Sequence, residues 1–368
     1  MQQQAILIVA QSGRFLAQIA KRAGYPVWVA DCFGDSDTLE VASQWLPITD
    51  LSDPSCVFNT VLSLSQGRAC SLICGGGVES FHGILGRLPD HIKLLGNAQS
   101  TIETLKNPSQ FFNILDQFAI THPETQLHPP EETTDWLSKS SRGLGGGHIQ
   151  YYQAEMPPTD TYYQRYINGV SGSVLFLANG IDGMMLSINQ QFSLNDPEMP
   201  FLLSGLAAPL HLSNTHRNTL QDTIDALLSQ IDLYGLNSLD FILTEAGELF
   251  MLEVNPRPSA SAELLTQRPQ LFDLHLEACR GILPENIASR SSTNATYLHY
   301  IFAQNDTLIP DGTLWPSNCH DIPPAGRLIL KNEPLCTALV DTSDSFSQSR
   351  EQLDNDINRL LSCALKNS

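Results

Sequence analysis

"LNSLDFILTEAGELFMLEVNPRPS", residues 236–259, carries two alternating runs of apolar and polar residues on either side of Glu245-Ala246-Gly247-Glu248. Period-two alternation marks a half-buried strand, and Ala246-Gly247 can close a two-residue turn, so the stretch predicts a β-hairpin. That turn sets Asp240 directly across from Glu253. Residues two apart share a face, which gathers Ser238, Asp240, Glu253 and Asn255 on one side and Leu239, Phe241, Leu252 and Val254 on the other. Like charges opposed on a ladder destabilise it by about 0.2–1 kcal/mol. A cation between them reverses the sign. Two carboxylates and an amide carbonyl make an all-oxygen set suited to Mg2+, which keeps some waters and completes its shell with phosphate oxygens. A solvent-facing sheet surface with ordinary charges fits the same residues.

Upstream, "DWLSKSSRGLGGGHIQYYQ" (135–153) places Lys139 at the end of a short strand, then Gly143, Gly145, Gly146 and Gly147, then an apolar-aromatic run. A Walker loop or dinucleotide fingerprint needs a helix after the glycines, and none follows. A flap whose N–H groups turn inward on phosphate oxygens fits better, as does a plain mobile hairpin tip. Lys106 in "TLKNP" is a second cation for the same anion. "YYQRYINGVSGSVLFLANG" (162–180) reads as strand, turn at Asn168-Gly169, strand, an edge whose backbone can hold a purine ring.

The N-terminal third reads as doubly wound α/β: strand "AILIVA" (5–10), helix "RFLAQIAKRAG" (14–24) ended by Gly24, strand "YPVWVAD" (25–31), and strand "SLICGGG" (71–77) running into three glycines before a helix. Residues 326–340, "GRLILKNEPLCTALV", read as a hairpin. Leu353, Ile357, Leu360 and Ala364 line one face of a final helix.

The whole sequence of 368 residues carries 20 Lys and Arg against 39 Asp and Glu, a formal charge of -19, which argues against a nucleic-acid partner. Residues 5–10 are too short an apolar run for a membrane span or leader. Eight cysteines without a C-x-x-C pair read as reduced thiols of a cytoplasmic protein.

The order of a lysine before a helix, a lysine before a glycine flap, a hinge strand, and D-F-x(11)-E-x-N-P-R over Asp240, Phe241, Glu253, Asn255, Pro256 and Arg257 resembles the ATP-grasp superfamily. The resemblance runs from Lys106 to Arg257, and the N-terminal third looks like the α/β domain that precedes it in that superfamily. It implies an α/β chain, α+β in its ATP-grasp part: a Rossmann-like domain (1–98), a small lobe with the flap (99–165), a large lobe with the metal site (166–290), and a C-terminal hairpin and helix packed on the large lobe (291–368).

By the same resemblance, Lys106 and Lys139 contact ATP phosphates together with the flap glycines, and Gln164, Arg165, Tyr166 and Ile167 meet adenine. Asp240, Glu253 and Asn255 hold Mg2+, with Mn2+ as an alternative. Arg257 and Lys139 act on the acyl phosphate, and Arg257 holds a substrate carboxylate; Arg14, placed after the first strand where the N-terminal domain would face the cleft, fits either that second role or an ordinary surface-helix arginine.

"GGGVES", "LLGN", "LEVNPRPS" and "DIPPAGRLIL" resemble a group of small ligases that includes tyramine–glutamate ligase and relatives in methanopterin- and methanofuran-type cofactor synthesis. That likeness implies a carboxylate–amine ligase acting on a small acid and an amine, with a homodimer left open. Two positions depart from the superfamily pattern. Ser171 stands where many relatives carry an acid for ribose, and Ser238 where many carry an arginine, so an ATP-binding protein without turnover is the alternative. A dehydrogenase is disfavoured because "AQSGRF" lacks G-x-G-x-x-G, and a biotin carboxylase would need a carrier that this chain does not supply.

Overall fold

The structure is a computed structural model that describes residues 3–154, 160–194, 196–265, 268, 270–286 and 295–364, with side chains as far as residue 361. Ala364 of the final helix stripe and the expected boundary at residue 290 fall outside the described side chains and residues. Strand Ala5–Val9 is buried along its whole length. It lies at the centre of a five-stranded parallel sheet in the order Gln44–Pro47, Val27–Asp31, Ala5–Val9, Cys70–Cys74, Ile92–Leu94. A sheet that grows outward from its first strand in both directions is doubly wound, as the sequence predicts. Helix Arg14–Arg22 lays Phe15, Leu16 and Ile19 on one face of it, and helix Pro54–Ser65 lays Val57 and Val61 on the other. Gly77, at φ +98°, lets the chain leave Cys70–Cys74 and enter the helical turn Val78–Phe81 at once.

An eight-stranded antiparallel sheet forms the largest unit. Its order is Leu249–Asn255, Tyr234–Leu243, Val170–Asn179, Gly183–Ser193, Leu203–Ala208, Ala295–Phe302, Pro334–Thr342, Cys319–His320. Alternation divides its faces. Val174, Phe176, Leu239, Phe241 and Met251 pack with helices Pro108–Gln117 and Asn214–Leu228, whereas Leu175, Leu177 and Leu236 pack with helices Arg14–Arg22 and Leu271–Ala278. A separate four-stranded antiparallel sheet, Thr125–Gln126, Thr161–Arg165, Trp136–Ser140, Gln150–Tyr151, makes the small lobe. Among the described residues no helix is long and apolar enough to cross a membrane.

Several local expectations are corrected. Residues 162–180 are not a hairpin: Thr161–Arg165 belongs to the small sheet and Val170–Asn179 to the large one, so Asn168-Gly169 is a crossing between lobes. Residues 326–340 are not a hairpin either, because Leu328–Ile329 pairs with Thr307–Leu308 while Pro334–Thr342 pairs with Ala295–Phe302. The C-terminal strands are thereby hydrogen-bonded into the large sheet rather than packed against it. Helices Gln99–Lys106 and Pro108–Gln117 put Leu105, Phe111, Phe112 and Leu115 into the core of the large sheet, not the small one.

Candidate active site

The hairpin that opened the sequence reading is present with a different turn. Strands Tyr234–Leu243 and Leu249–Asn255 are joined by a five-residue loop, closed by Thr244 N–H donating to the Glu248 carbonyl at 3.0 Å. That loop sets Phe241 across from Met251, and a register shift beside Leu252 then restores the expected pairs Asp240–Glu253 and Ser238–Asn255. The inserted residue is a β-bulge. Met251, rather than Leu252, joins Phe241 in the core.

Asp240, Glu253 and Asn255 project from the face that Leu236 and Leu175 occupy further along the strands. The Asn255 amide donates to Asp240 Oδ2 at 3.2 Å, while its Oδ1 accepts from Lys106 Nζ at 3.4 Å. Lys106 Nζ also donates to Glu253 Oε2 at 2.9 Å. Lys106 reaches this point because Asn107 caps the helix that Pro108 begins, so the preceding helix Gln99–Lys106 has to end there. A protein cation thus sits among the three oxygens, and this stand-in shows that the donor set fits a positive charge. Among the described residues no three His, Cys, Asp or Glu side chains gather to hold a metal unaided. A divalent ion here would draw on the Asn255 amide and on phosphate oxygens as well.

Electrostatics separates the two acids. Burial raises the Asp240 pKa to about 7 and the Glu253 charge adds to it, with a hydrogen bond from Gln191 opposing. Burial also works against the Glu253 carboxylate, but the charge and hydrogen bond of Lys106, with Lys139 and His148 nearby, hold it down at about 2. Lys139, on strand Trp136–Ser140, is 8% exposed and donates to Gln164 Oε1 at 2.7 Å; burial lowers its pKa to about 8, while Glu253 and Asp240 oppose the shift. Arg257 Nε donates to Glu79 Oε1 at 2.8 Å, and its Nη2 lies 3.5 Å from Asn255 Oδ1. Two lysines and an arginine therefore gather around two acids, with Glu79 behind the arginine and a flap histidine that burial keeps toward its neutral form.

Residues 106–261 match the family described as ATP-grasp domain. This segment is an ATP-grasp domain. No curated protein sequence matches it. Among solved structures, N5-carboxyaminoimidazole ribonucleotide synthetase from Thermotoga maritima is 16% identical, with 99% of this chain and 98% of that one covered at a TM-score of 0.66. Carboxyaminoimidazole ribonucleotide synthase from Aspergillus clavatus, complexed with ATP, is 15% identical, with 99% and 100% covered at 0.70. L-amino acid ligase from Bacillus licheniformis is 14% identical, with 98% of both chains covered at 0.68. These likenesses extend the shared fold over the full chain, N-terminal Rossmann-like sheet included.

In this structure the flap is docked. Gly145 and Gly146 have φ +65° and +81°; the Gly145 carbonyl accepts from Leu203 N–H at 2.9 Å, and Gly146 packs so closely on the Phe201 carbonyl that a Cβ would stand 2.0 Å from its oxygen. Tyr151, Tyr166 and Phe201 cluster beside it. Gly143 lies under the His148 ring, where an added Cβ would clash. Of the expected adenine segment, Gln164 is committed to Lys139 and Thr125, and Arg165 lays its guanidinium 4.5 Å over the Trp136 ring. The amides of Arg165 and Tyr166 already donate to the carbonyls of Glu124 and Asp135, so they are not open to a purine; Ile167 follows them at the crossing between lobes.

Arg14 is corrected. It is 1% exposed, and its guanidinium donates to Glu263 Oε2 at 2.6 Å and Asp321 Oδ2 at 2.7 Å, so the chain's own acids take the place expected of a substrate carboxylate. Two further residues at the site, Glu79 and Gln191, escaped the sequence reading, and a third, His148, is conceivable from sequence as a proton carrier but without a partner. Glu79 orients Arg257, Gln191 bonds Asp240, and His148 comes in on the flap. Of the first two, Glu79 alone had a local signal, as the acid in the first turn after a glycine cluster.

Proposed function

We propose that the protein is an ATP-dependent ligase that converts a carboxylic acid to an acyl phosphate and joins it to an amine, releasing ADP and phosphate. The observation that supports this most is the convergence of Asp240, Glu253, Asn255, Lys106, Lys139 and Arg257, from both lobes, at one end of the large sheet. A carboxylate resists amines because its leaving group is poor, and phosphorylation supplies a better one. In-line phosphoryl transfer demands positioning and charge neutralisation more than a side-chain nucleophile. When bound at Asp240, Glu253 and Asn255, magnesium would supply Lewis acidity and a template for the phosphates.

Lys106, which here bonds Glu253 and Asn255, would then be free to turn its ammonium to phosphate oxygen. Lys139, held by Gln164, adds charge from the small lobe. Arg257, steered by Glu79, offers its Nη edge to the acid or its phosphate. A flap closed over these groups would exclude water, which would otherwise hydrolyse the acyl phosphate.

At a finer level, the acceptor is an amino acid of glutamate type in one-carbon cofactor synthesis. The motif likenesses to that group of small ligases support this reading, and the shared fold with an L-amino acid ligase is compatible with it.

The test supplies Mg-ATP, a candidate acid and hydroxylamine. A ligase of this type yields ADP, phosphate and a hydroxamate, each dependent on the acid. Saturable ATP binding with no hydroxamate for any small acid replaces this reading with that of a nucleotide-binding protein.

A further inference from the structure

The middle of the large sheet carries polar side chains that neither the candidate metal ligands nor the phosphate-facing lysines explain. Asn189 pairs directly with Ser173, Ser173 with Asp240, and Asp240 with Glu253. Directly opposed residues of antiparallel strands project from one face, so these four form a single row beginning at the candidate cation site. Ser173 is 2% exposed and Asn189 0%. Among the described residues, Ser173 Oγ and Asn189 Oδ1 have no hydrogen-bond partner, and the buried Ser187 hydroxyl, two residues before Asn189, has none either. Leaving one such atom unpaired costs about 1–3 kcal/mol, so several on one patch of sheet call for a partner in the working cycle.

The geometry says what kind of partner. Asn189 Nδ2 donates to the Ser173 carbonyl at 3.4 Å, which leaves Oδ1, an acceptor, as the unpaired atom. The row reads carboxylate, carboxylate, hydroxyl, amide carbonyl. The Asn189 amide oxygen takes only a donor, whereas the Ser173 hydroxyl accepts or donates, so a partner bearing O–H groups satisfies both and a phosphate oxygen satisfies the serine alone. On the adjacent row, Ser171 Oγ donates to Gln191 Oε1 at 2.7 Å, so Gln191 is turned with its amide nitrogen toward Asp240 and closes that flank. A hydrated dication meets the demand. Magnesium gives up water reluctantly, and the waters it keeps are polarised donors. Neutral acceptors suit this task because two carboxylates already balance a double charge.

We propose that Ser173 and Asn189 form a shelf that accepts hydrogen bonds from the water shell of the divalent cation entering with the nucleoside triphosphate. The proposal rests on the Mg-ATP reading above. Outer-shell partners of this kind typically govern metal affinity by 10–100-fold.

The experiment compares wild type with Ser173→Ala and Asn189→Leu. Paramagnetic resonance titration of Mn2+ with ATP, without acid or amine, reads cation uptake, and thermal melting of the ligand-free protein reads stability. The shelf predicts about tenfold weaker Mn2+ uptake for each variant, with the ligand-free melting temperature of Ser173→Ala unchanged or raised, because an unpaired buried polar atom has been removed. Uptake equal to wild type in a folded Ser173→Ala overturns the inference, as does a KM effect confined to the amine, which would assign the row to that substrate. A lower ligand-free melting temperature with unchanged uptake also overturns it, because the row would then be a structural water site. Wild type that takes up no Mn2+ with ATP overturns the ligase reading and the shelf together. Wild type that binds while both variants bind equally well overturns the shelf alone.

Discussion

Lys106 has two masters. In the absence of nucleotide its ammonium is held by Glu253 and Asn255, groups that a dication and phosphates would claim. Lys106→Met therefore removes a phosphate contact and also leaves Glu253 facing Asp240 without a neutralising charge. The variant is expected to bind Mg-ATP at least tenfold more weakly, or about 1.4 kcal/mol, in a calorimetric titration. The Glu79–Arg257 pair has a different signature. Glu79→Gln keeps the shape but not the charge that fixes Arg257, so turnover should fall by more than tenfold while ATP affinity stays within twofold of wild type. Steady-state kinetics beside direct nucleotide binding separates the two effects. If ATP affinity falls as far as turnover, Glu79 supports the fold rather than the orientation of Arg257.

At the scale of elements, the bulge beside Leu252 reconciles the five-residue loop with the pairing of the two acids. A shift of one residue in a strand carries every side chain to the opposite face. Deleting Leu252 removes only the extra residue and leaves Phe241–Met251 and Asp240–Glu253 opposed on a regular ladder, so nucleotide binding should survive by titration, with secondary structure retained by circular dichroism. The acids were legible in the sequence because period-two alternation survives any turn length. The bulge was not, because the five-residue loop and the extra residue compensate each other and leave the same pairs at the far end. Asn168-Gly169 shows the opposite failure: a turn signal is local, and it cannot say that the strands it joins belong to different sheets.

The flap is a second element with a checkable role. Gly146→Val puts a side chain where the Phe201 carbonyl already lies, at a backbone conformation that valine resists. The flap should undock, and the ratio of phosphate released to ligated product should rise as water enters.

For the molecule as a whole, acid is the informative stress. His275 is buried between Leu236 N–H, which donates to its Nδ1 at 3.0 Å, and the Leu95 carbonyl, 3.3 Å from Nε2. Both contacts are satisfied by the neutral ring with its proton on Nε2. Burial lowers its pKa to about 4, and burial likewise lowers His299 to about 4. Between the ordinary histidine value near 6.5 and about 4, the unfolded chain holds protons that the folded chain refuses. Stability is thus fully present above that window and is lost as pH falls through it, by up to about 3 kcal/mol per histidine. Melting temperatures from pH 7.5 to 4.5 should fall, and should fall less for His275→Gln. Neither histidine was legible as buried, since nothing in one sequence says which polar positions the tertiary packing will enclose. The N-terminal α/β pattern was legible, because uninterrupted apolar strands and a helix ended by glycine are local facts.

Arg14 joins three distant parts of the chain. Arg14 belongs to the parallel-sheet domain, Glu263 follows the site hairpin, and Asp321, which also accepts from Ser12 and Thr337, lies in the C-terminal part. Arg14→Met would strand buried carboxylates at a cost of about 3–5 kcal/mol, measurable by denaturant unfolding. The same rivet fixes which piece can travel. With the first domain and the last strands pinned to the large sheet, the four-stranded lobe is left as a lone jaw closing on a stationary anvil. A nucleotide trapped between them should quieten amide exchange in residues 125–151 and leave the anvil's own rates untouched.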